Sequence, residues 1–484
     1  MRYLCFLIGL LCLSACDYEM PETSETTDRF GDETFTRFYV IGDGYGAGMM
    51  DGVLTTESQT YAYPALIGGK INSFFEAELF RQPDVNTELG LNRFEPESEG
   101  KYRLYYRAPG DEVPSRRTEE GEMPGSFTGE ADLLRNFSFP GLRAYDFESA
   151  VNSVSNIYLN RLPFNGQQSI ADIVSDRSPS VVLVSLGYDD LLPYVMGSAT
   201  GATELPVNEI SDTDATPLAV FESSYRGLIE QLQNDTEASI ILTTIPSPLI
   251  TPAFTTVSYS MELGSEITGI EIGQLNSFYR EFNERAFEYN LGDTITDENR
   301  RPFIDFDVDG GAQFKARVIS DPTLPDVVFD DGYELPKIRQ MGEDEYLPFR
   351  FEQLFFENPV YGKTEPIQQE DVITRENAAS IQELLDGYNS TIRDLAASSA
   401  DIYLLDIEQL ISELYSGDIQ VGGVFYNADF SRESLFSGDG LFLNPKGNAL
   451  VAQRLVEILN REYNVRLLPV DVNSYPGISF EQDF

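Results

Sequence analysis

The stretch FYVIGDGYGAGMMDG, residues 38–52, joins a short apolar run to a turn built on Gly42-Asp43-Gly44. Residues Arg37–Ile41 form a continuous rather than alternating apolar run, the pattern of a strand buried on both faces. In an open α/β sheet, functional groups gather at the carboxyl ends of the strands. Gly42-Asp43-Gly44 follows such an end, and Gly44 stands where a nucleophile would be expected. By itself, a Gly-Asp-Gly after a strand is only a turn, so its meaning depends on the rest of the chain.

Three further runs have the same character: Val181–Leu186, Ser239–Thr244 and Asp401–Leu405. Helical periodicity lies between them, over Pro64–Phe74, Leu218–Leu232, Asn276–Tyr289, Asn377–Leu395 and Ala449–Tyr463. Alternating strands and helices predict an α/β fold, a three-layer α/β/α sandwich around a mostly parallel sheet of flavodoxin-like type. The segments near 80–130 and 295–370 fit that alternation poorly and are rich in Pro, Gly, Asp and Glu. They are expected to be insertions on the surface or over the cleft. Within the second, Asp305-Phe306-Asp307-Val308-Asp309-Gly310 has the spacing of half a calcium loop, but Ala316 occupies the position of its last ligand. Asp alternating with Phe and Val predicts an exposed strand there instead.

The chain has 484 residues, 80 acidic against 33 basic, and a formal charge of −47. Such a surface repels phosphate backbones, which excludes nucleic acid as a partner. The lysines are few: Lys70, Lys101, Lys315, Lys337, Lys363 and Lys446. This balance suits a salty medium, where screening relieves self-repulsion; an ordinary soluble secreted protein is the alternative. Histidine is absent. That excludes a Ser-His-Asp triad, a Cys-His dyad and a histidine-ligated zinc site.

At the N-terminus, MRYLCFLIGLLCLSAC carries Arg2, an apolar stretch Leu4–Leu13 and small residues before Cys16. This is a signal peptide, too short to span a bilayer permanently. Leu13-Ser14-Ala15-Cys16 looks like a bacterial lipobox, so residues 1–15 would be removed and Cys16 lipidated. Cys5 and Cys12 leave with the signal, and no internal disulfide is possible. Residues 16–35 read as an acidic tether, and 36–484 as the folded domain. The implied address is the bacterial cell envelope, lipid-anchored at the outer membrane or cell surface.

Three more segments bear on the opening turn: NFSFPGLR at 136–143, with Gly141 after Pro140; Gly187-Tyr188-Asp189-Asp190 after the second run; and DGLFLNPKG at 439–447, leading into the last helix. In this order the segments resemble the SGNH (GDSL-type) hydrolase family, particularly lipoprotein members from Bacteroidetes-type bacteria. Asp51-Gly52, Tyr63-Pro64, IPSPLITPAFTTV at 245–257 and VNSYPGI at 472–478 extend the likeness over about residues 37–478.

The departures fall on the chemistry that this resemblance implies. The family's serine nucleophile is replaced by Gly44, which keeps only the backbone N–H. Asp189 replaces the asparagine that donates to the oxyanion, and an ionised carboxylate can only accept. Phe442 replaces the histidine base, while Asp439, which would orient that base, remains. Gly141 is the one oxyanion element left intact. The resemblance therefore implies a pseudoenzyme: an envelope lipoprotein that keeps the family cleft and binds an acylated glycan or ester without hydrolysing it. A residual or rerouted hydrolase using cleft aspartates and an envelope protein-interaction module are the alternatives. Asp43, Asp189, Asp190 and Asp439 should lie near the cleft floor. They could hold Ca²⁺ or Mg²⁺, or keep structural hydrogen bonds. No metal site is firmly assigned, and no cofactor is expected.

Overall fold

The computed structural model describes residues 37–75, 79–92, 102–106, 114–118, 120–297, 299–307, 313–463, 465–478 and 480–482. Residues 1–36, and with them the expected signal peptide, Cys16 and the tether, lie outside the described residues. So does part of the 80–130 insertion.

The apolar runs form the central sheet. Its strands are β1 (Phe38–Gly42), β2 (Asn136–Ser138), β3 (Val181–Ser185), β4 (Ser239–Thr243) and β5 (Ile402–Leu405). All pairings are parallel, and the spatial order is β2-β1-β3-β4-β5. Val40, Ile41, Val182, Leu183, Val184, Ile240, Ile241 and Leu242 have no exposed surface. Burying such a side chain contributes roughly 1.5–3 kcal/mol, so the sheet is the main buried core of this part of the chain.

The helices that matter to the site are α1 (Gly44–Ala47), α2 (Tyr63–Phe75), α3 (Tyr188–Met196), α4 (Leu218–Asp235), α5 (Gly269–Phe278), α6 (Arg280–Asn290), α7 (Arg375–Ser398), α8 (Ile407–Tyr415) and α9 (Pro445–Glu462). α9 packs on α2, while α7 packs on α4 and on the β4–β5 side of the sheet. This is a mixed α/β architecture, consistent with an α/β/α sandwich. No helix among the described residues is long and apolar enough to cross a membrane.

Two departures from expectation concern local structure. The single helix expected over Asn276–Tyr289 is two, α5 and α6, broken at Tyr279. Both belong to a second hydrophobic core, with Met261, Leu275, Phe282, Ile304, Phe306, Val318 and Leu335, separate from the sheet's core. The strand expected at Asp305–Gly310 does not form over 305–307, and 308–310 lie outside the described residues. Asp307 Oδ1 accepts from Asn276 Nδ2 (2.6 Å), and Phe306 is buried in the second core.

Candidate functional site

In a 2-1-3-4-5 sheet the strand order reverses between β1 and β3, and the crevice beyond their carboxyl ends is the usual place for a ligand. Here one side chain bridges that reversal. Asp43 follows β1 and caps α1, with Oδ1 accepting from Tyr45 N–H (3.0 Å). Its Oδ2 accepts from the N–H groups of Gly187 (3.0 Å), Tyr188 (2.8 Å) and Asp189 (3.2 Å). These are the N-terminal amides of α3, which Gly187 cannot cap itself. One carboxylate therefore satisfies the starts of two helices, a need that every helix N-terminus has. Gly187 sits at φ +114°, and a Cβ there would come within 2.3 Å of Ile245, so only glycine fits this turn. Burial and the neighbouring Asp189 carboxylate push the Asp43 carboxyl well up, against the pull of its backbone donors.

Asp189 lies on the first turn of α3 and has no exposed surface. Its Oδ2 accepts from Gly44 N–H (3.1 Å) and Gly141 N–H (2.6 Å). These are the two backbone donors that an oxyanion hole at this turn would use. The sequence suggested that Asp189 would repel an oxyanion. The geometry adds that its own carboxylate oxygen accepts from both N–H groups that the resemblance gives to the oxyanion. Gly141, at φ +89°, reaches the surface.

Gly44 is buried, and a Cβ on it would lie 3.2 Å from Phe442 Cε1 and 3.3 Å from Asp189 Oδ2. The sequence-predicted nucleophile, base and oxyanion positions are thus neighbours in space. Phe442 is buried edge-on against Tyr188 and tilted against Tyr45, with ring centres 5.5 Å apart in both cases. Tyr45 and Tyr188 meet edge-to-face at 4.6 Å, and both hydroxyls donate to the Leu441 carbonyl. Burial pushes both phenols well above their ordinary range, so neither serves as a base near neutral pH.

Asp439 lies at the same turn with both oxygens occupied. Oδ1 accepts from Leu441 N–H (2.7 Å), Phe442 N–H (2.9 Å) and Ser437 Oγ (3.0 Å), and Oδ2 from Gly52 N–H (2.6 Å). Asp51 reinforces this junction by accepting from Gly438 N–H (2.7 Å). Ser437, which also accepts from Asp51 N–H (2.9 Å), gave no signal in the sequence beyond its place two residues before Asp439. The loop then runs into α9 through Asn444, whose Oδ1 caps Gly447 N–H (2.9 Å).

Asp190, fully buried, accepts from Ala144 N–H with both oxygens (3.2 and 3.0 Å). Burial pushes its carboxyl up to about 7. The four aspartates are therefore each turned toward backbone amides. Among the described residues, no group of three or more Asp, Glu or Cys side chains has an arrangement that could hold a metal ion.

The residues expected at a cleft floor are enclosed. Asp43, Gly44, Asp189, Asp190, Asp439 and Phe442 are all buried, and the cavity beside Asp43, Ser185 and Thr243 is about 10 Å³. That is about the space one water needs. The chain matches no protein-family model and no curated protein.

Proposed function

We propose that this protein is an SGNH-type hydrolase scaffold that has left catalysis and serves as a lipid-anchored binding protein of the bacterial envelope. The observation that carries this reading is the Asp189 carboxylate on the Gly44 and Gly141 amides. An oxyanion hole stabilises charge only if its donors are free when charge develops. Here both donors are already engaged by a carboxylate oxygen of the protein itself. Phe442 in the base position and Gly44 in the nucleophile position support the same conclusion from the other side of the turn. Removal of one triad member already abolishes most of the rate in a serine hydrolase; here nucleophile, base and side-chain donor are all replaced. The ligand class this scaffold suggests is an acylated glycan or ester, held away from the closed turn. Cys16 anchors the chain.

The direct test is turnover of short-chain nitrophenyl esters by detergent-solubilised protein. The expected rate equals the buffer control. Saturable turnover that disappears in Asp439→Ala would overturn the non-catalytic reading and favour a rerouted hydrolase. Cys16→Ser should release the protein from the membrane fraction or block its processing; a variant that fractionates like the parent would refute the anchor.

A further inference from the structure

Away from the closed turn, a groove of about 370 Å³ opens between the helix Thr56–Tyr61, residues 81–86 and residues 127–134. Small-ligand sites occupy roughly 300–1,000 Å³. Its walls are braced from behind by Arg161, which donates to the carbonyls of Gly125 (3.0 Å) and Pro83. The same guanidinium lies 5.8 Å from the centre of the Phe127 ring. The two walls are joined directly by Gly125 N–H to the Val85 carbonyl (2.8 Å) and Asn86 Nδ2 to the Ser126 carbonyl (3.2 Å). Thr56 Oγ1 (2.7 Å) and Asn86 N–H (2.9 Å) fix one oxygen of Asp84. The groove is thus preformed, which lowers the ordering cost of binding.

Its lining is chemically mixed. The Arg81 side chain takes no hydrogen bond or ion pair among the described residues, although acidic side chains outnumber basic ones 80 to 33. Asp84, Thr60 and Glu130 also line the groove, beside the half-buried Phe127. A sugar ring matches such a surface: each hydroxyl both donates and accepts, and its C–H face packs on an aromatic ring. Charge narrows the choice. Arg81 is outweighed by Asp84 and Glu130, which disfavours an anion, while Arg81 itself disfavours a cation.

We propose that this groove binds a neutral carbohydrate, with Arg81 and Asp84 bonding its hydroxyls and Phe127 packing on its apolar face. The inference gives the binding role above a location and rests on that reading for its purpose, but the groove's chemistry does not depend on the altered turn.

The chain has no tryptophan, so Phe127→Trp places a single fluorescent reporter in the groove wall and keeps an aromatic face. The probes are maltotriose, cellotriose, xylotriose and N-acetylated chitotriose at millimolar concentration, with trigalacturonate as the anionic comparison. At least one neutral probe should change the emission saturably. Arg81→Ala in the same background should weaken that binding about tenfold or more, the loss expected for a hydrogen bond to a charged group. Saturation-transfer NMR on the unsubstituted protein, with and without Arg81→Ala, reads the same site if the tryptophan variant misfolds. Silence from every neutral probe by NMR overturns the proposal. Unchanged affinity in Arg81→Ala, or tighter binding of trigalacturonate than of any neutral probe, also overturns it. Ester turnover tests the other reading separately: a silent groove with no turnover removes only this inference, and sugar binding with turnover removes only the non-catalytic reading.

Discussion

Asp189→Ala separates the two things its carboxylate does at the turn. The substitution takes the acceptor away from Gly44 N–H and Gly141 N–H, which it holds at 3.1 and 2.6 Å. A buried donor left unpaired costs about 1–3 kcal/mol. Gly44 is buried and loses its acceptor outright, whereas Gly141 reaches the surface and is repaired by water. Removing the carboxylate also relieves Asp43, whose carboxyl it helps to push up, and this offsets part of the loss. The expected net loss is therefore about 1 kcal/mol, read as a fall in the urea midpoint of roughly a few tenths molar. Asp189→Asn keeps an oxygen on the same two amides without the charge, and should stay within about 1 kcal/mol of the parent. Sodium formate, compared with sodium chloride at equal ionic strength, should raise the midpoint of the Ala variant only, since formate can enter the vacated hole. Equal stability of the Ala variant and the parent, or equal losses in Ala and Asn, would refute the assignment of Asp189 as the acceptor that fills the hole.

Three further outcomes are expected. Asp190 has its folded pKa raised from 3.8 to about 7, so its contribution is fully present below the unfolded value and lost as pH rises through the folded one. The stability of Asp190→Asn relative to the parent should therefore increase between about pH 4 and 8, measured by urea titration at each pH; a constant difference would contradict the raised value. With a formal charge of −47, the melting temperature should rise by several degrees from low to molar NaCl, because screening shortens to about 3 Å; a flat series would show that the charges are too dispersed to matter. In a reconstruction series, Gly44→Ser alone should lose about 1–3 kcal/mol to crowding against Phe442 and Asp189, as overpacking does. Labelling by a fluorophosphonate probe should require Gly44→Ser, Phe442→His and Asp189→Asn together; labelling of the single serine variant would mean that another base operates there.

Four of the five sheet strands could be read from the sequence because each is a continuous apolar run buried on both faces. β2 could not, since Asn136-Phe137-Ser138 has one apolar residue between two polar ones and stops at Pro140. Its place at the sheet edge comes from pairing with Val40, Ile41 and Gly42, a tertiary fact. The break at Tyr279 was hidden because Phe278 and Phe282 continue a helical spacing across it. The site residues were legible as positions, and they do meet in space. What the sequence could not convey is that Asp189 would turn its carboxylate onto the Gly44 and Gly141 amides. Residue type says that a carboxylate accepts hydrogen bonds but not whose. The second core was equally hidden, because its members are scattered from Met261 to Leu335 and share no single period.

That second core has a consequence for how the chain reaches its fold. β4 ends at Thr243 and β5 begins at Ile402, so the last strand must find its partner across some 160 intervening residues. Closing a loop costs about 0.6 kcal/mol more for each doubling of its length. If the residues around Met261–Leu335 collapse on their own first, the effective loop is about half as long and its closure costs about 0.6 kcal/mol less. The order of events would then be local collapse of the inserted lobe, followed by docking of β5 and α9 to complete the sheet. Substitutions that weaken the lobe, such as Phe282→Ala, should slow that final closure more than they loosen the finished sheet, a signature readable as a fall in refolding rate with little change in unfolding.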